Sequence, residues 1–117
     1  GFNSFIPLKF RNANNKMSAV KEVALIEDLK NYAVSRIFLD NFPHIKAYWP
    51  AIGIDAAILS LSYGADDLDG TINNSTAIYS LAGAKDKKPA LSVSELRTHI
   101  IDSGFIPVER NSDYKAI

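Results

Sequence analysis

His44, Lys46 and Tyr48 occupy alternate positions in the run Leu39-Asp40-Asn41-Phe42-Pro43-His44-Ile45-Lys46-Ala47-Tyr48-Trp49-Pro50. In an extended segment this spacing puts the three on one face, with Ile45, Ala47 and Trp49 on the other. An imidazole beside an ammonium can hold a carboxylate or a phosphate, the lysine acting as a point charge. The same alternation also suits an edge strand with one wet face, and the pattern alone leaves both readings open. A second polar group, Asp66, Asp67 and Asp69, is followed by Thr71. Oxygen-rich clusters suit magnesium or calcium, but the spacing is not that of an EF-hand loop and Gly70 comes too late for one. Helix caps and salt bridges are the weightier reading, and no metal site is assigned. His44 and His99 are the only histidines, and His99 falls on an amphipathic helical stretch, which argues against a two-histidine zinc site. No G-x-S-x-G, G-x-G-x-x-G or Walker sequence occurs.

The elements that must position these residues alternate in type. Residues 4–10 read as a strand interrupted by Pro7. An Asn-rich loop leads to Ser18, a candidate N-cap, and a helix runs from about Val20 with Ile26, Leu29, Ala33 and Ile37 on its apolar face. Pro43 disfavours helical geometry at Phe42 and so ends it. Residues 44–49 form the second strand. Asp55 is expected to cap a helix through Ile58, Leu61 and Ser62 that stops at Gly64. Residues 65–72 read as the third strand, and Ser75 or Thr76 opens a helical segment over residues 77–81. A charged linker, residues 84–89, precedes the S-x-x-E capping box of Ser92 and Glu95, which starts a helix carrying Leu96, Ile100 and Ile101 and ending at Gly104. Residues 105–109 read as a last strand and residues 110–117 as a polar tail. Helices between consecutive strands argue for parallel β/α units with right-handed crossovers. Such sheets bind ligands at the carboxyl ends of their strands, which is where Tyr48, Trp49, Asp69 and Thr71 fall.

Composition sets the outer limits. A chain of 117 residues, 47% hydrophobic and 22% charged, has the makeup of one soluble globular domain with no obvious disordered tract. Thirteen basic and thirteen acidic residues cancel, leaving no electrostatic footprint for nucleic acid or an anionic membrane. The lack of cysteine excludes disulfides, thiolate zinc sites, iron–sulfur ligation and a cysteine nucleophile within this chain. No run approaches the roughly 20 apolar residues of a membrane span, and Gly1-Phe2-Asn3-Ser4 does not read as a signal peptide. A cytoplasmic protein is therefore expected. The missing initiator methionine hints at a piece of something longer or at a tagged chain.

Three stretches carry a family resemblance: residues 33–50, residues 64–71 (Gly-Ala-Asp-Asp-Leu-Asp-Gly-Thr), and Ile106-Pro107-Val108-Glu109-Arg110. In this order, and over nearly the whole chain, they resemble the C-terminal part of the aminodeoxyfutalosine synthases, radical S-adenosylmethionine enzymes of the futalosine route to menaquinone. A cyclase of the same pathway and the tyrosine lyase of thiamine synthesis are similar in fold but differ at the third strand. The resemblance implies a (β/α)8 barrel and a [4Fe–4S] cluster on a Cys-x3-Cys-x2-Cys loop. It also implies S-adenosylmethionine across the barrel top. The implied reaction is transfer of the adenosyl radical to the enolpyruvyl double bond of 3-[(1-carboxyvinyl)oxy]benzoate, followed by rearrangement and loss of a carboxyl group.

This chain holds no cluster ligands. A barrel of about 250 residues spends roughly 30 on each unit, so residues 1–83 are expected to be strands six to eight and residues 84–117 a linker with a C-terminal helix–strand extension. Such a piece alone is expected to be inactive and to form a homo-oligomer through its exposed sheet edges. On matching positions, the resemblance implies an apolar wall for the cofactor from Phe5, Ile6, Pro7 and Leu8. It implies small-molecule substrate binding by His44, Lys46 and Tyr48, and hydroxyl contacts from Asp69 and Thr71. Asn111 departs from the pattern, standing where an acid would follow Arg110. The rival reading is a non-catalytic binding or structural module, which upstream cluster-binding cysteines would exclude.

Overall fold

A computed structural model describes residues 1–70 and 90–117. The expected helical segment at residues 77–81, the linker 84–89, Thr71 and the boundary at residue 83 lie outside the described residues. Three parallel strands, β1 (Ser4–Phe5), β2 (His44–Ala47) and β3 (Asp67–Leu68), form a sheet in the order β1-β2-β3. Ser4 pairs with His44 and Phe5 with Ile45, while Lys46 pairs with Asp67 and Ala47 with Leu68. Helix α1 (Leu25–Phe38) connects the first two strands, and α2 (Trp49–Ile52) with α3 (Ile54–Leu61) connects the next two. The last helix, α4 (Val93–Asp102), carries the expected capping box: the Ser92 hydroxyl accepts from the Glu95 N–H while Glu95 accepts from the Ser92 N–H. The fold is thus α/β with a small parallel sheet.

Helix α1 starts later than the sequence suggested, at an Ala24 N-cap with no side-chain bond rather than after Ser18. Glu22 explains the delay. Its carboxylate takes the Arg11 guanidinium at 2.9 Å and the Asn12 N–H at 3.0 Å, anchoring the segment before the helix to the loop after β1. The buried stripe is also offset by one residue. Asp28, Leu29 and Tyr32 are buried, whereas Ile26 is 51% and Ile37 80% exposed. Tyr32 fills the space against Ile45, Ala47, Trp49, Ala57 and Ala65, and Asp28 is paired with Lys9. Burial first, and the Asp28 charge second, push the Tyr32 phenol up to about 12, so it is a neutral core group. The stripe Val34, Ile37 and Phe38 is left facing outward.

β2 ends at Ala47 rather than Trp49. Pro50 has a fixed φ and no N–H, which suits the first turn of α2, yet Trp49 remains on the buried side, continuing the alternation of Ile45 and Ala47. Asp55 is not the cap of α3. Gly53 takes that place, and Asp55 sits in the first turn, where a carboxylate favours the positive helix end. Gly64 follows α3 at φ +101°, and a Cβ there would lie 2.7 Å from the Arg36 Cβ, so the close approach of α1 requires glycine. No strand forms over residues 105–109, where Pro107 removes a ladder donor. Instead an antiparallel bridge joins Arg110 to Ala116.

Candidate functional site

Register fixes which side chains share a face. Core residues Ile45, Ala47 and Trp49 point toward α1 and α3, so His44 and Lys46 line the opposite, open face of the sheet. Parallel pairing of Lys46 with Asp67 puts Asp67 on that face and, two residues on, Asp69. By the same rule Ser4, paired with His44, lies there on β1.

Three tiers follow along the strands. At the amino end, the His44 Nδ1 lies 2.7 Å from Asp66 Oδ2, and the Ile45 N–H donates to Asp66 Oδ1 at 2.7 Å. Asp66 also takes the Arg36 guanidinium, which donates further to the carbonyls of Gly64, Phe42 and Pro43. In the middle tier Asp67 receives Arg110 through both Nε (3.1 Å) and Nη2 (2.7 Å), and the Tyr114 hydroxyl at 3.0 Å. The Tyr114 ring stacks on His44 with centroids 4.1 Å apart. The tail, read from sequence as merely polar, therefore folds over the open face. At the carboxyl end, Lys46 Nζ sits 3.0 Å from Asp69 Oδ1 and 3.6 Å from Asp67 Oδ2.

Trp49 holds the Asp69 segment in place, its Nε1 donating to the carbonyls of Asp69 (3.2 Å) and Gly70 (3.3 Å). Burial pulls the Lys46 pKa down, but the hydrogen bond to Asp69 and the charges of Asp69 and Asp67 outweigh it, and the net shift is upward. Lys46 is thus a firmly charged ammonium, only 16% exposed, at the carboxyl end of a parallel sheet. It can bind an anion by trading Asp69 for it.

Of the residues singled out from sequence, Lys46 and Asp69 are brought together, and Tyr48, half-buried, lies just past β2 as the N-cap of α2. His44 shares the face but sits at the amino end, engaged by Asp66 and Tyr114. Phe5 is half-buried against the core, Pro7 is half-buried, and Ile6 and Leu8 are exposed. Lys9 and Arg11 fasten the chain just beyond them, through Asp28, Glu22 and the Ala51 carbonyl. The three aspartates are drawn to different cations, Asp66 to Arg36, Asp67 to Arg110 and Asp69 to Lys46, with Lys46 also 3.6 Å from Asp67, and no metal-holding group of three or more acidic or histidine side chains occurs among the described residues. Arg36 and Tyr114 were missed, and Asp67 and Arg110, though noted in the sequence, were given no place in the site. Alternation from Asp69 could have put Asp67 on the open face, but the other three act across 28 to 47 residues.

The family model of the CofH/MqnC C-terminal region matches residues 1–117. The chain is 40% identical to the aminodeoxyfutalosine synthase of Thermus thermophilus, an alignment covering all of this chain and 32% of that protein. It is 37% identical to the cyclic dehypoxanthine futalosine synthase of Streptomyces coelicolor over 98% of this chain and 28% of the relative. Identity is 38% to the 5-amino-6-(D-ribitylamino)uracil–L-tyrosine 4-hydroxyphenyl transferase of Methanoculleus marisnigri, over 97% of this chain and 32% of that protein. The chain spans about a third of the length of the relatives it matches.

Proposed function

The chain belongs to the family of the CofH/MqnC C-terminal region, and on that premise we propose that it supplies the last β/α units, strands six to eight, of a radical S-adenosylmethionine barrel of the aminodeoxyfutalosine synthase kind. The proposed reaction joins the adenosyl group of S-adenosylmethionine to 3-[(1-carboxyvinyl)oxy]benzoate in menaquinone biosynthesis in the cytoplasm. Three strands in parallel order with an open polar face support the barrel reading. So does the outward stripe Val34, Ile37 and Phe38, which a neighbouring unit of a closed barrel would cover. Produced by itself, the segment is expected to be inactive and to cover that stripe with further copies, and a dilute monomer in light scattering would count against this.

A [4Fe–4S] cluster needs thiolates, and this chain has none, so its residues do not hold one and no step is derived through it. S-adenosylmethionine, when bound, supplies the adenosyl group. Ile6 and Leu8, exposed just beyond β1, fit an apolar wall beside it with Pro7 between them, while Phe5, packed on the core, backs the segment.

The observation that carries the substrate reading is the Lys46–Asp69 pair, 3.0 Å apart at the carboxyl end of the strands. The ammonium exchanges Asp69 for a substrate carboxylate, and Asp69, with Tyr48 and Thr71, then meets hydroxyls of the substrate or the adenosyl group. His44, engaged by Asp66 and Tyr114, stays in the tier below. Replacing Lys46 with Met in the intact enzyme should raise the substrate KM about tenfold or more, the loss of one charge-assisted hydrogen bond. An unchanged KM removes the carboxylate assignment. One alternative is a cyclase-type reaction, the 37% identity to a cyclic dehypoxanthine futalosine synthase being its support. Turnover of 3-[(1-carboxyvinyl)oxy]benzoate decides between them.

A further inference from the structure

Resting on the reading that Lys46 meets a substrate carboxylate, we propose that the C-terminal tail is a positioning element for that lysine: Arg110 and Tyr114 hold Asp67, and Asp67 so held leaves the Lys46 ammonium to Asp69. By position alone Asp67 is the natural partner of Lys46. The two are paired in register on adjacent strands and share a face, and the Asp67 side chain is only 9% exposed. Yet Lys46 stands 3.6 Å from Asp67, beyond hydrogen-bond range, and 3.0 Å from Asp69.

The tail accounts for the difference. The Arg110 fork takes both Asp67 oxygens and the Tyr114 hydroxyl takes one of them again, so three donors occupy a carboxylate with about four acceptor sites. Charge-assisted, two-point guanidinium bonds outcompete a single ammonium for such a group. The tail is built to deliver them. The Asn111 side chain accepts from the N–H groups of Asp113 and Lys115, both at 3.0 Å, closing the turn. Tyr114 itself is held at φ +60°, a left-handed conformation that costs a tyrosine energy. This puts its ring under the Arg110 guanidinium, 4.0 Å from the centroid, and against His44. Without Arg110, a nearly buried carboxylate would face Lys46 as its nearest cation and draw it away from the carboxyl end of the strands.

The test reads Lys46 directly, in the intact protein, by competitive acetylation of its lysines at pH 9 with residue-level mass spectrometry. In the native background Asp69→Asn should raise Lys46 labelling about fivefold, as the charge that favours the ammonium is lost. In an Arg110→Gln background the same substitution should change labelling less than about twofold, because the ammonium has moved to Asp67. Tyr114→Phe removes one hydroxyl while keeping the ring on His44, so it carries the test if Arg110→Gln fails to fold. There the Asp69→Asn effect should be intermediate. Equal Asp69→Asn effects in the native and tail-variant backgrounds overturn the proposal. The labelling involves no substrate, so an unchanged KM for Lys46→Met would remove the substrate reading while leaving this result standing.

Discussion

At the amino end and middle of the open face, His44, Asp66 and Asp67 are each held by two or more partners drawn from α1, the strand backbone and the tail. Two residues further along the same strands, the main polar pair is Lys46 with Asp69. The first region is a lattice in which a planar guanidinium serves each of two carboxylates, Arg36 at Asp66 and Arg110 at Asp67. The second is a flexible ammonium between two acids. The contrast matches a division of labour in β/α architectures, where the amino end of the sheet carries stability and the carboxyl end carries chemistry. It also separates His44, tied to Asp66 and Tyr114, from Lys46, tied to Asp69, although the two are neighbours on one face.

The sharpest way to break this comparison is to remove one negative charge from each region. Asp67→Asn should cost about 3 kcal/mol in urea unfolding, since it leaves Arg110 without its carboxylate in a nearly buried site. Asp69→Asn, in the more accessible tier, should cost about 1 kcal/mol or less. Equal costs would mean that the two tiers are not distinct. Next in size is Arg36→Met, which strips three carbonyls and Asp66 of one shared donor. A loss of about 2 kcal/mol is expected, with Lys46 labelling unaltered, because the damage stays at the amino end.

Much of the fold was legible because it rests on local rules. The alternation of residues 44–49 gave the two faces of β2, and Ser92 with Glu95 gave the start of α4. The amino-end lattice was not legible, because Arg36, Asp66, Arg110 and Tyr114 look like ordinary surface residues until the chain brings them together. The α1 face was misplaced for a related reason. Two overlapping stripes, one through Ile26 and Ile37 and one through Asp28 and Tyr32, both satisfy helical spacing, and only contact with β2 and Lys9 chooses between them. Asn111, a departure from the expected acid, makes no ion pair but closes the turn that brings Tyr114 to His44.

The smallest expected effect separates the regions by pH. The folded-state pKa of Lys46 lies above its ordinary 10.5: burial opposes the shift, and Asp69 and Asp67 outweigh burial. A raised pKa means that the stabilisation is fully present below about pH 10.5 and is lost as pH rises through the folded value. Arg110 is shifted the same way by its hydrogen bond to Asp67, from an already higher starting point, and stays charged throughout that range. Alkali should therefore loosen the carboxyl-end pair while the Arg110–Asp67 tie persists. Urea midpoints followed from pH 9 to about pH 12 should fall more steeply for the native chain than for Lys46→Met, with the Arg110–Asp67 distance unchanged by spectroscopy. Parallel slopes would mean that Lys46 contributes no charge-dependent stability, and that the two ends of the face differ only in geometry.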